Sequence, residues 1–186
     1  KLLSKIVILS FMITLTIYGC RNSTAPETEA KDDFAYFVEQ FGDIRILRYR
    51  LPGFEDLSLQ QKEYVYYLSQ TALAGRDILW DQNFRYNILI RKTLEAIIDS
   101  YSGDRNSDDY KAFLTYAKRV FFANGIHHHY SSDKFKPGFS KEYFLTLLNE
   151  SDQSKLPLDP GLKVDKFALF LTPVLFDDDL FARKVD

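Results

Sequence analysis

One cysteine stands among 186 residues, which excludes a disulfide framework and any zinc-finger or iron–sulfur site built on several thiolates. Histidine is nearly as scarce, and its three copies are consecutive, His127, His128 and His129. That narrows the metal and acid–base chemistry the chain can carry unaided. Neither sign of charge dominates: 24 Lys and Arg face 26 Asp and Glu, for a formal charge of -2. The basic residues are interleaved with acids, so the surplus that neutralises phosphates is missing and no nucleic-acid partner is expected. Glycine (8) and proline (6) are few beside 46% hydrophobic and 16% aromatic residues, which excludes collagen-like and disordered chains.

What is present begins with a leader pattern. Lys1 and Lys5 precede the uncharged apolar run Ile6 to Ile17, whose twelve residues suit a signal-peptide core and fall short of the roughly 20 that span a bilayer. Tyr18-Gly19-Cys20 follows, and a small residue directly before cysteine resembles the lipobox of bacterial lipoproteins. The expectation is a signal peptide over 1–19, lipidation at Cys20, and a membrane attachment through that lipid. Residues 20–32, with Arg21 to Lys31 small, polar and free of aromatics, read as a solvated tether. A body over 33–186 then follows, in the cell envelope of a bacterium on the periplasmic or outer-membrane side.

Periodicity in that body predicts a mainly α (α+β) fold. Phe34, Phe37, Val38 and Phe41 recur at helical spacing and predict a short helix ending at Gly42. Ile44 to Leu51 alternates apolar residues with Arg, slipping phase between Ile46 and Leu47, which predicts a strand with a bulge. That strand has no visible partner, so one from further along a longer chain is expected. Ser58 and Gln61 form a capping-box pattern before a long helix with Val65, Leu68, Ala72 and Leu79 on its buried face. A second run, Asn83 to Ser100, buries Phe84, Ile88, Leu94 and Ile98, with a hinge near Asp81. Ser107 caps a helix carrying Tyr110, Phe113, Ala117 and Val120, and Asn124-Gly125 stops it. Ser140 caps another helix, with Phe139 and Phe144 placed as a hydrophobic staple. Leu162 to Phe181 is rich in Phe and Leu and is interrupted by Pro173.

The candidate sites are few. On a strand, His127 and His129 would share one face, as two ligands of one zinc must; histidines that bond backbone or substrate from a loop are the other reading. Asp77 and Asp81 lie four apart on one helix face, a spacing open to paired-carboxylate work, but Arg76 and Asp77 at a helix corner are expected to be a structural ion pair. Tyr64, Tyr66, Tyr67 and Tyr86 read as a layer between core and water. Asp177 to Asp179 reads as an acidic turn, without the glycine and terminal glutamate of a calcium loop.

Several strings together resemble one family. Gln40 to Tyr49 (QFGDIRILRY), Leu57 to Lys62 (LSLQQK), Ala74 to Ile78 (AGRDI), Trp80 to Asn83 (WDQN), Arg91 to Glu95 (RKTLE), and Asn124 to Tyr130 (NGIHHHY) with Lys134 to Pro137 (KFKP) are similar to the N-terminal region of bacterial dipeptidyl peptidase III. The likeness runs from about Phe37 to the end of the chain, and the order and spacing of the strings carry it. It implies the helical N-terminal part of a two-lobed zinc exopeptidase, with a strand near 44–51, that removes dipeptides from peptide substrates lying in the cleft between the lobes. The family holds zinc with a helical HExxGH motif and a downstream Glu; neither occurs here. The chain therefore reads as the part before the zinc lobe, incomplete at its C-terminus, inactive alone and without catalytic or metal residues of its own. His127, His128, His129 and Tyr130 are the candidate substrate contacts. The alternative is a non-enzymatic envelope lipoprotein that binds peptides or a partner protein.

Overall fold

The computed structural model describes residues 34–184, almost all within the second of two units, Tyr36–Asp186. The expectations for the signal segment, the tether and Cys20 lie outside these residues. Among the described residues no helix is long and apolar enough to cross a membrane.

The stretch ahead of Gly42 is strand rather than helix. Strand β1 (Phe37–Phe41) pairs antiparallel with β2 (Ile44–Leu47), and Phe41 faces Ile44 across a two-residue turn. Gly42 makes the turn at φ 55, a conformation open to glycine and costly for most other residues. The four apolar positions from 34 to 41 fit a helical period in so short a run, but the reversal at Gly42 gives β1 an immediate partner. The register shift lies between Phe37 and Glu39 and places Val38 against the step from Ile46 to Leu47. The sequence slip thus marks a bulge carried by the opposite strand. The strand over 44–51 ends at Leu47, and its partner is local rather than distant.

Helix α1 (Leu59–Ala74) starts at Ser58 with the expected reciprocal capping box. It ends at Gly75, and α2 (Arg76–Asn83) follows at once. This break at Gly75 comes in addition to the hinge expected near Asp81. A second break comes at Phe84, whose extended backbone (φ -170, ψ 134) separates α2 from α3 (Asn87–Ser100). The predicted buried face of α1 is absent: none of its residues is buried, and Val65 and Leu68 are exposed, as is Leu79 on α2. A helical stripe shows which face can be covered, and here no described element covers it. Tyr64, Tyr66 and Tyr67 lie open to solvent, while Tyr86 packs against Phe84, Phe170 and Phe181.

The core lies further on, between α3, α4 (Asp108–Ala123), α5 (Lys141–Asn149) and α6 (Val164–Phe176). Ser107 and Ser140 cap α4 and α5 through the Tyr110 and Tyr143 amides, satisfying donors that a helix start leaves unpaired. Phe113, Phe144, Ile90, Leu94, Ile97, Val120, Leu147 and Leu171 are fully buried. Phe139 and Phe144, the two residues expected to staple the start of α5, each meet the Phe176 ring of α6, at centroid distances of 5.6 and 5.9 Å. Pro173 is accommodated within α6, which runs on to Phe176. The β-hairpin is held against α4 by Lys118 with Glu39 and by Arg119 with Asp43 at 2.8 Å. A side chain on Gly42 would meet only the far end of the Arg119 side chain, at 2.7 Å, so it is the backbone angle that calls for glycine at position 42.

Candidate functional site

The histidine segment is fixed from below by amides. Asn124 ends α4 in the left-handed region at φ 53, and Gly125 follows at φ 152. Asn87, 1% exposed, donates to the carbonyls of Trp80 (3.2 Å) and Asn124 (3.4 Å) and accepts from the Ile126 amide (3.1 Å). Asn83 donates to the Asn124 carbonyl at 3.1 Å. A Cβ on Gly125 would collide with the Asn87 amide, so glycine gives this contact its room. Ile126 enters the core fully buried, and the chain emerges from that anchor.

A short antiparallel turn follows. His127 bridges Lys134, the Phe135 amide donates to the Ile126 carbonyl, and the Lys134 amide donates to Ala182. Residues 182–184 line the other side through the Asp133–Arg183 bridge. Lys134 reaches under this layer and donates to the carbonyls of Val174, Asp177 and Leu180, the end of α6 where carbonyls lack helical partners. Burial pushes the Lys134 ammonium below its ordinary value, against the pull of Asp177, Asp178 and Asp179. The acidic turn is itself ordered by the Asp177 carboxylate, which accepts from the Asp179 and Leu180 amides.

The four candidate residues divide. His127 is 3% exposed, its ring edge-on to Phe84 at 5.3 Å and its Nε2 2.9 Å from the Phe181 carbonyl; since a carbonyl only accepts, Nε2 carries the proton. His128, His129 and Tyr130 form the tip. His128 Nδ1 accepts from the Tyr130 and Ser131 amides, each at 3.2 Å, which leaves the neutral ring's proton on Nε2. His129 stacks on His128 at 4.5 Å and meets Phe122 edge-on at 5.1 Å. Tyr130, 86% exposed, lies 4.3 Å from the His129 ring centre. With His127 in the core and His129 in solvent, the two do not present nitrogens to a common point. Among the described residues no three His, Cys, Asp or Glu side chains gather where a metal could be held.

Beside the tip lies a depression of about 310 Å³ bordered by Asp43, Arg119, His128, Ser131 and Lys136. Asp43 is held below the usual carboxylate range, first by its own backbone amide and then by Arg119. Sequence reading missed Asp43, Arg119 and Phe122 because the hairpin, α4 and the turn are brought together only by the fold. Arg76 is exposed, and Asp77 pairs with Arg91 at 2.6 Å rather than with its neighbour. That hydrogen bond holds the Asp77 carboxyl below its ordinary value. Asp77 is thus a tie between α2 and α3. No family model matches the chain, and no curated protein matches it significantly.

Proposed function

We propose that this chain is the N-terminal part of a zinc-dependent dipeptidyl peptidase of the dipeptidyl peptidase III type, contributing scaffold and substrate-side surface to a cleft completed by a zinc-bearing lobe. The ordered set of strings from Gln40 to Pro137 carries this reading. The exposed apolar residues of the hairpin, α1 and α2, among them Phe37, Leu47, Leu59, Val65, Leu68 and Ile78, agree with it, since a surface of this kind is one that further chain or a partner covers.

In this reading the tip His128-His129-Tyr130 faces peptide. It stands on a base locked by Asn87 and Lys134, and rigid support under an exposed loop is the usual arrangement for binding groups. His127 holds the base. The HExxGH motif does not occur in this sequence, so this reading assigns hydrolysis to the zinc-bearing lobe. Lipidation at Cys20 and anchoring in the cell envelope belong to the same proposal and rest on the leader pattern alone.

The test is dipeptide release. The purified chain, supplied with zinc and a chromogenic dipeptidyl amide, is expected to give no turnover above the uncatalysed rate, while a longer product of the same gene carrying HExxGH gives zinc-dependent release. Zinc-dependent turnover by residues 1–186 alone would contradict the assignment.

A further inference from the structure

The tip is closed by one ring nitrogen. His128 Nδ1 accepts from both the Tyr130 and the Ser131 amides, each at 3.2 Å, so donors two and three residues along the chain converge on one acceptor. Asparagine and aspartate side chains hold tight turns in the same way. Only a ring nitrogen without its proton can accept. The other hydrogen bonds of the loop do not pass through the ring. The His128 amide donates to the Asp133 carbonyl, the Ser132 amide to the His128 carbonyl, and the Asp133 amide to the Ser131 hydroxyl. Beneath them the Phe135 amide holds the Ile126 carbonyl.

Protonation of the ring puts a hydrogen on Nδ1, and the acceptor becomes a third donor facing two. Imidazole is the side chain that ordinarily changes charge between about pH 5 and 8. His128 is half-buried on the border of the open depression, where protons reach it from solvent. Charged groups face it from each neighbouring element: Asp43 from the hairpin, Arg119 from α4, and Asp133, Lys134 and Lys136 from the segment after the tip. Within the tip its neighbours are the His129 imidazole and the Tyr130 phenol, with ring centres at 4.5 and 6.1 Å. The fixed charges are matched among themselves. Asp43 pairs with Arg119, Asp133 lies 3.7 Å from Arg183, Lys136 pairs with Asp178, and Lys134 is held by carbonyls. No unmatched charge beside the ring fixes its protonation state, so the two amides decide which geometry each state adopts.

We propose that His128 is a proton-operated latch on the tip. As the neutral ring it closes the turn over Tyr130 and Ser131. As the cation it releases both amides, and residues 129–131 loosen while the base at Ile126 and Phe135 stays in place. The tip thus presents His129 and Tyr130 in a fixed arrangement in neutral surroundings and in a looser one in acid. That the latch governs contact with peptide rests on the peptidase reading; the latch itself rests on the two hydrogen bonds alone.

Titration of the whole chain from about pH 8 to about pH 5 tests it, followed by the nitrogen chemical shifts of the imidazole rings and by the amide shifts and hydrogen-exchange protection of residues 126–135. At the alkaline end the His128 ring is expected to carry its proton on Nε2. On acidification the Tyr130 and Ser131 amides are expected to shift in step with that ring and to lose about tenfold in protection, while the Ile126 and Phe135 amides hold still. His128→Asn offers an oxygen to the same donors and does not titrate, so its turn is expected to stay closed throughout. His128→Leu, with no acceptor, is expected to show the loosened turn at every pH. Several results would overturn the proposal: amides unmoved while the ring gains its proton, a ring that gains none across the range, or a His128→Leu turn as protected as the parent's. So would a His128→Asn turn that opens in acid as the parent's does, which assigns the effect to His129, or Ile126 and Phe135 moving with the tip, which assigns it to His127. No peptide is present, so failure of the peptidase reading leaves each of these outcomes as it stands.

Discussion

Asn87→Ala is expected to lower the unfolding free energy by about 3 kcal/mol, read as a drop in urea midpoint at unchanged slope. The side chain is buried, and its removal leaves the Ile126 amide without its acceptor and takes from the Trp80 carbonyl one of its two donors. The Asn124 carbonyl keeps the Asn83 bond and the Trp80 carbonyl keeps the Phe84 amide at 3.4 Å, so the loss falls mainly at the Ile126 amide. Asn87→Asp is the informative companion. It keeps an acceptor for Ile126 but turns the donor facing two carbonyls into a negative oxygen, so it is expected to be no better than alanine. Because Asn87 fixes the point at which the chain turns from α4 into the histidine segment, amide shifts of residues 126–135 should move in both variants. A variant as stable as the parent, with that segment unmoved, would show that Gly125 and the backbone hold the turn unaided.

Trp80→Ala should cost about 4 kcal/mol, measured by thermal or urea unfolding followed by circular dichroism. Trp80 is fully buried, meets Phe121 edge-on at 6.3 Å, and lies under the Arg91 guanidinium at 5.4 Å. Its loss opens a cavity in the only part of α2 that reaches the core, and the surrounding helices can collapse into it only in part. Arg91 also pairs with Asp77, so the same change loosens the tie between α2 and α3. As the single tryptophan, Trp80 makes the parent's fluorescence a direct report on this corner. A cost under 1 kcal/mol would mean that α2 contributes little to the folded body and moves independently of it.

Local chemistry explains which features were legible before the fold was seen. Ser58, Ser107 and Ser140 announce helix starts because their oxygens meet amides two or three residues on, and Asn124-Gly125 announces a stop because glycine accepts the backbone angles that follow. Each of these lies within one turn of chain. The mainly helical class follows from such signals repeated. Segment 34–41 was not legible, because eight residues cannot separate a helical spacing from a strand that reverses at Gly42. The exposed face of α1 was not legible either, since periodicity shows that a face is apolar but not that a neighbour reaches it. In the candidate site, the consecutive histidines drew notice by composition, yet their division into one core ring and an exposed tip depends on Phe181, 54 residues away. Asn87, Asp43 and Arg119 carry no local motif at all. Each gains its role from a partner that the chain returns from a distance, as with Ile126, 39 residues from Asn87.

The reading frame beyond the Asp186 codon tests most directly whether this chain belongs to a zinc dipeptidyl peptidase. Sequencing of the native gene is predicted to show an uninterrupted frame that encodes an HExxGH helix and a later glutamate ligand. A stop codon directly after Asp186, or a long continuation with no such motif, would contradict the assignment and leave the exposed apolar surface to a separate partner.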